Sequence, residues 1–349
     1  VIKIEYLDEE IPVYDITVKD NENFYANDIL VHNCAEILLE VSPLKSLDDP
    51  NGLIALCILS NVNAGKIKSL TDMPLLAKLL VRSLDNVIDI QEYPLPAAKN
   101  STINNRYLGI GVSDWAHYLS KKKVKYNSQE ALDLSEEFME HWQFNLLNAS
   151  MELAKERGEA PNFRTHSKYA DGWMPNQNKW KFISGASWAS LSKNIVKHGL
   201  RNLTLSAIPP AGTSSDYSDS TSGLDMPRDL IVTKKSKVGI AKQIIPNFAK
   251  GSSYYTLATE VDNVEYLKML GKFQLYVDQA ISANVYWTKE KDFVMNSKTN
   301  KLEFPMKKMI QTITLAHKLG LKTTYYSTFI DTLNAGDVED SCSGGGCAV

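Results

Sequence analysis

Leu53-Ile54-Ala55-Leu56-Cys57-Ile58-Leu59 is an unbroken apolar run. A strand with one solvated face alternates apolar and polar side chains, so an unbroken run implies a strand covered on both faces. Such cover takes helices, and the chain supplies them. Residues 72–91 read as a helix, with Thr71 as N-cap, Pro74 in the first turn and leucines at helical spacing. Residues 128–157 read as a long amphipathic helix that starts at Ser128 and buries Leu132, Phe138, Met139, Trp142, Leu146 and Leu153. Further helices are predicted over 264–283 and 306–319. Short strands are predicted over 107–112, 203–208 and, directly after a stop at Gly320, 321–326. Helix, glycine, strand is an αβ step, and several of them predict an α/β barrel or sheet.

The two ends read differently. Residues 1–33 are β-branched and aromatic-rich. They read as three short strands, IPVYDITV, NFYAN and DILVH, too little to hold a core alone. From about residue 333 the periodicity is lost; Asp337, Glu339 and Asp340 precede a glycine run, and a mobile tail is expected. Three regions follow: 1–33, 34–332 and 333–349. The chain starts at Val1 rather than Met, as expected of a sequence incomplete at its start.

Composition narrows the function classes. Hydrophobic residues make up 44% and charged residues 23%, the balance of a soluble globular protein. No basic run points to nucleic acid or an acidic membrane surface, and no apolar run is long enough to span a bilayer. The cysteines are Cys34, Cys57, Cys342 and Cys347. That is too few for a disulfide scaffold, so a cytoplasmic, reducing compartment is expected, where cysteines serve catalysis, redox chemistry or metals.

Val31-His32-Asn33-Cys34-Ala35-Glu36 is a chemical junction. Cys34 is a strong nucleophile. Asn33 can attack its own carbonyl carbon through its side-chain amide and cut the chain, with His32 placed to move the proton. With Tyr14-Asp15-Ile16-Thr17-Val18, Asn23-Phe24-Tyr25-Ala26-Asn27 and Ile29-Leu30 upstream, residues 1–33 resemble the C-terminal end of an intein, an all-β Hint-type segment. The resemblance implies that Cys34 captures the upstream segment as a thioester before Asn33 cleaves. Glu22 and Asp28 stand where inteins commonly carry histidine and glycine. The N-terminal part of an intein is not in the sequence, which implies a split intein or a truncation.

Downstream, single residues leave alternatives open. Cys57 alone reads as a small core residue, Tyr325-Tyr326 as strand aromatics, and Cys342 with Cys347 as half a zinc site. No metal site is expected, because His32, His117, His141, His166, His198 and His317 show no ligand spacing. Gly109-Ile110-Gly111 lacks the third glycine and the ribose-binding acid of a dinucleotide loop.

Together, and in this order, CAEILLEVSPLKSL, GLIALCILSNVN, YPLPAAK, LGIGV, LAKERG, HGLRNLTLSAIPPAGTSS, DQAISAN, GLKTTYY and the terminal CSGGGC resemble the C-terminal part of the large (alpha) subunit of class I ribonucleotide reductases. The resemblance implies the C-terminal half of a ten-stranded α/β barrel. It implies that Cys34 becomes a thiyl radical that abstracts the 3′ hydrogen of a ribonucleotide, and that Glu36 takes the 3′-OH proton. Cys57 would reduce the 2′ carbon with a second, upstream cysteine. Tyr325 and Tyr326 would relay the radical as a stacked pair, and Cys342 and Cys347 would re-reduce the active-site disulfide from a swinging tail. Pro210, Ala211, Gly212, Thr213, Ser214 and Ser215 would form the substrate-phosphate loop, although the family often has a polar or acidic residue where Gly212 stands.

The implied substrate is a ribonucleoside diphosphate. The implied partners are an N-terminal reductase and intein fragment, a metal-containing small (beta) subunit that supplies the radical, and thioredoxin or glutaredoxin, with a homodimer once the protein is complete. No cofactor is expected on this chain, ATP and dATP effectors would bind the missing N-terminal part, and the isolated chain is expected to be inactive. Rival readings are a splicing module with an inactive passenger and a cobalamin-dependent (class II) reductase. Asn33 would leave with the intein.

Overall fold

The computed structural model describes residues 23–26, 29–32, 35–236, 239–330 and 337–339. Within them Leu108–Ser113 is a strand covered on both faces, every residue of which is buried. Its glycines permit this. A Cβ on Gly109 would lie 2.6 Å from Leu59 Cδ2 and 2.7 Å from Cys57 Sγ, and one on Gly111 would lie 2.3 Å from Asn61 Oδ1.

Ile58–Asn63 pairs with this strand in parallel, Ile58 opposite Leu108 and Asn63 opposite Ser113. The apolar run therefore enters the sheet later than its composition predicts, and its strand is mostly half-buried. Leu53 instead makes an isolated antiparallel bridge to Ser42. Position explains the exposure: among the described residues Ile58–Asn63 has a strand partner on one side only.

The sheet continues on the other side of Leu108–Ser113. Leu108 N donates to Thr204 O at 3.0 Å and Ile110 N to Leu205 O at 2.8 Å, which lays 203–208 alongside. Ile208 N then donates to Ala280 O and Ser282 N to Ile208 O, both at 3.0 Å, and Ile208 bridges Ile281 in parallel. Tyr325 N donates to Ala283 O at 2.7 Å, and Val285–Thr288 pairs in parallel with Ser327–Ile330. The extended segments 58–63, 108–113, 203–208, 279–288 and 325–330 are thus neighbours in chain order. Parallel neighbours need long crossovers, and helices fill each gap. This is the predicted α/β organisation. No ladder among the described residues joins the first segment to the last, so closure into a barrel is not seen.

Several boundaries differ from expectation. The helix expected over 264–283 is Asn263–Gln274, and 279–283 are extended. Tyr276, Val277, Ala280 and Ile281 are buried, and their spacing satisfies a helix face or a strand covered on both sides equally well. The unmet backbone groups of 203–208 decide for the strand. The helix expected over 72–91 is Met73–Ile90, and Thr71 is not its cap: Ser69 Oγ accepts from Thr71 N in a capping box with Asp72. The 306–319 helix is Met306–Lys318, but the strand after Gly320 begins only at Ser327.

The 128–157 prediction matches closely. Gln129–Arg157 is helical, Ser128 Oγ accepts from Ala131 N at 3.1 Å, and Gly158 ends it at φ 87°. Phe138, Met139, Trp142, Leu146 and Leu153 are buried, and Leu132 is half-buried. Burying each large side chain contributes about 1.5–3 kcal/mol. Upstream, Asn23–Ala26 pairs antiparallel with Ile29–His32, as the strands over NFYAN and DILVH predict. The strand expected over IPVYDITV lies outside the described residues.

Candidate active site

The extended segment 279–283 brings two of the predicted site residues to one place. Glu36 is fully buried. Its backbone carbonyl accepts from Ala280 N at 2.9 Å, and its carboxylate Oε2 accepts from Ser282 Oγ at 2.6 Å. Three residues back on the same segment, Gln279 Nε2 donates to Cys57 Sγ at 3.2 Å, while Gln279 Oε1 accepts from Leu38 N at 3.2 Å. The same amide nitrogen also reaches Leu108 O at 3.1 Å and Thr204 Oγ1 at 3.2 Å. A buried carboxylate and a thiol are therefore held against one strand, with Gly109 leaving the room that Sγ occupies.

Burial pushes the Cys57 thiol up to about 12, against the Gln279 donor, which lowers it; the Glu36 charge adds to the rise. At neutral pH the group is an S–H, able to give a hydrogen atom or proton rather than to act as a standing thiolate. Glu36, held by a hydroxyl donor in a water-poor setting, is equipped to accept a proton from a bound hydroxyl.

Tyr325 and Tyr326 follow on the next segment. Tyr325 N bonds to Ala283 O, one residue beyond Ser282, and Tyr326 O accepts from Val285 N at 2.8 Å. Their ring centroids lie 3.8 Å apart with planes at 53°, so the pair is in contact but tilted rather than stacked in parallel.

The stretch 210–215 leaves the end of the 203–208 segment beside Ile281-Ser282. It is not an open loop: Gly212–Tyr217 forms a short helix. Ser215 Oγ has its one hydrogen directed at its own turn, where Ala211 O and Gly212 O are both within reach, so this hydroxyl is engaged internally. Ser214 is exposed, and the Thr213 side chain lies outside the described residues. The following stretch is latched to the sheet by Asp114, whose Oδ1 accepts from Thr221 N at 2.7 Å and whose Oδ2 contacts His117 Nδ1 at 2.9 Å.

Of the remaining predicted residues, His32 is the one that the structure describes. The backbone of His32 pairs with Asn23. Asn33, Cys34, Cys342 and Cys347 lie outside the described residues. Among the described residues, no group of three or more His, Cys, Asp or Glu side chains could hold a metal ion, and no helix is long and apolar enough to cross a membrane.

Reading the sequence missed Gln279, Ser282 and Asp114. The first two sit inside DQAISAN, where polar residues among buried alanine and isoleucine were the available signal. Asn284 of the same stretch was missed too: its Nδ2 donates to the buried Asp225 Oδ2 at 2.8 Å, and its Oδ1 accepts from Tyr326 N at 3.4 Å.

A family model described as "Ribonucleotide reductase, barrel domain" matches residues 13–327, beginning inside the segment read as an intein. A protein of Buchnera aphidicola from Schizaphis graminum, named ribonucleoside-diphosphate reductase subunit alpha, is 40% identical over 333 residues, covering 90% of this chain and 43% of its own length. The Haemophilus influenzae protein of the same name is 40% identical, covering 90% of this chain and 42% of its own. The subunit alpha of enterobacteria phage T4 is 30% identical, covering 88% and 40%. The chain thus spans about two-fifths of the length of the curated relatives it matches.

Proposed function

This chain belongs to the ribonucleotide reductase barrel-domain family, and from that premise we propose that it is the C-terminal catalytic part of a ribonucleoside-diphosphate reductase large subunit. The observation that carries the proposal is the convergence of Glu36 and Cys57 on the 279–282 segment. Reduction of a ribose needs a proton acceptor and a hydrogen donor on one substrate, and these two groups have the matching chemistry.

The roles are assigned as follows. Cys34 as a thiyl radical takes the 3′ hydrogen and later returns it. Glu36 accepts the 3′-OH proton, and a proton given by a thiol of the reducing cysteine pair lets the 2′-hydroxyl leave as water. Cys57 and an upstream cysteine supply two electrons and end as a disulfide. Cys342 and Cys347 reduce that disulfide by exchange and are recharged by thioredoxin or glutaredoxin. The segment 210–215 binds the substrate phosphates, with Ser214 and backbone N–H groups as the available donors. The radical comes from a metal-containing small subunit and enters through Tyr326 and Tyr325, whose ring contact and position beside Ala283 support that route. The relatives' name, subunit alpha, favours this two-subunit reading over a cobalamin-dependent one.

The relatives are more than twice as long as the stretch they share with this chain, so turnover is assigned to a full-length protein that contains it. The same proposal covers residues 1–33: splicing at Asn33/Cys34 would join residues 34–349 to an N-terminal fragment, with Cys34 serving first as splicing nucleophile. The residue order His32-Asn33-Cys34 supports this.

The test is deoxyribonucleotide formation from a ribonucleoside diphosphate by the full-length protein with its small subunit and a dithiol. Cys34→Ala should abolish product, and Glu36→Gln should lower it by at least about a hundredfold, as expected on loss of a general base. Turnover with adenosylcobalamin and no small subunit would reverse the assignment of class, and undiminished product from Cys34→Ala would overturn it altogether.

A further inference from the structure

We propose that Gln279 is a positioning residue that ties the Cys57 thiol to the Glu36 loop, a role that rests on the assignment of those two groups as reacting partners. One side chain makes both connections: Oε1 takes the Leu38 amide at 3.2 Å, and Nε2 holds Cys57 Sγ at 3.2 Å. The orientation of the amide is set by its neighbours. Leu38 N can only donate and Leu108 O can only accept, so Oε1 must face the first and Nε2 the second. Thr204 Oγ1 donates its own hydrogen to Leu108 O at 3.1 Å, leaving its lone pairs to receive Nε2.

Nε2 has two hydrogens and three acceptors within reach, Cys57 Sγ, Leu108 O and Thr204 Oγ1. The acceptors therefore compete. A thiol sulfur is a weak acceptor and a thiolate a strong one. Gln279 accordingly favours the ionised sulfur, the form that leaves when a disulfide to Cys57 is reduced. Opposing it is Glu36, the charged group that acts on Cys57 among the described residues. A change at Sγ is felt by an amide whose other end holds the backbone two residues after Glu36. Ser282, on the same segment, fixes the carboxylate itself.

The test uses the full chain with Gln279→Leu and Gln279→Glu. Two quantities are read by mass spectrometry: hydrogen exchange in the peptide containing Leu38, and labelling of Cys57 by iodoacetamide at pH 8. Gln279→Leu removes both connections, so Leu38 should exchange about fivefold faster, the size of one neutral hydrogen bond, and Cys57 should label about tenfold more slowly, the size of one hydrogen bond to a charged group. Gln279→Glu has the same shape and keeps an acceptor for Leu38 N. It should leave the exchange within about twofold of wild type while slowing the labelling at least as much, since a carboxylate replaces the donor. Loosened packing would speed both readouts, so faster exchange with slower labelling separates positioning from mere filling of space.

Unchanged or faster labelling in Gln279→Leu, or unchanged exchange at Leu38, would overturn the proposal. If the leucine variant loses its far-ultraviolet signal, the isosteric glutamate variant decides alone, on the labelling rate. Neither readout needs turnover, so failure of the reductase assignment would show separately.

Discussion

At the scale of single residues, the site depends on side chains that are absent as much as on those present. Gly109 gives Cys57 Sγ its space, and a Cβ there would intrude to 2.7 Å. Gly109→Ala is expected to destabilise the protein by about 1–3 kcal/mol through overpacking, measured by urea unfolding. Cys57 makes a pH prediction. Its folded-state value is raised to about 12 from an ordinary 9.0. The folded chain therefore keeps a proton that the unfolded chain gives up. The associated stability is fully present below pH 9 and declines from there towards pH 12. Replacing Cys57 with Ser should flatten stability between pH 9 and 10.5, as read from urea midpoints, and an unchanged slope would refute the burial argument. The sequence made Cys57 and Glu36 visible because each stands in a run with a recognisable partner pattern. It did not reveal Gln279, because a glutamine becomes a tether only through neighbours more than 200 residues away in sequence.

At the scale of elements, charges lock helices to one another and to the sheet. Asp85, on the Met73–Ile90 helix, is fully buried. It receives Arg106 Nε at 2.6 Å, Arg157 Nη1 at 3.0 Å and Arg201 Nε at 3.3 Å, joining that helix to the start of the 108–113 strand, the end of the 129–157 helix and the approach to 203–208. Arg106→Ala would strip the buried carboxylate of its best-buried partner, and a loss of about 3–5 kcal/mol is expected by calorimetry or urea titration. Glu136 makes a second lock. Burial raises its carboxyl, but Lys181 and Lys272, at 2.8 and 2.6 Å, more than offset this and leave it lowered. Its contribution is present above the ordinary value of 4.5 and is lost as pH falls through the lowered one. Lys272→Met should therefore weaken the acid dependence of stability below pH 5, and an unaltered acid limb would contradict this. The helix boundaries that were legible had local punctuation, Ser128 and Gly158 above all. The boundary at Gln274 did not, because a run such as Tyr276-Val277 and Ala280-Ile281 suits a helix or a doubly covered strand.

At the scale of the whole molecule, the extended segments 58–63, 108–113, 203–208, 279–288 and 325–330 lie side by side in chain order, and the likeness to reductase alpha subunits runs along the same span. If splicing occurs, tryptic peptides from the native source will show CAEILLEVSPLK joined to a foreign upstream sequence. Cys34 found only behind Val31-His32-Asn33 would refute splicing and leave residues 13–33 as part of the family match. The sequence by itself determined the α/β class, the helix capped at Ser128 and the identity of the chemical groups, because periodicity, capping and reactive side chains are local properties. Tertiary structure alone decided which segments became strands and how Glu36 and Cys57 came to share one. Backbone donors and acceptors on a buried strand must be met, and only the assembled sheet, with 203–208 already in place, shows that residues 279–283 meet them.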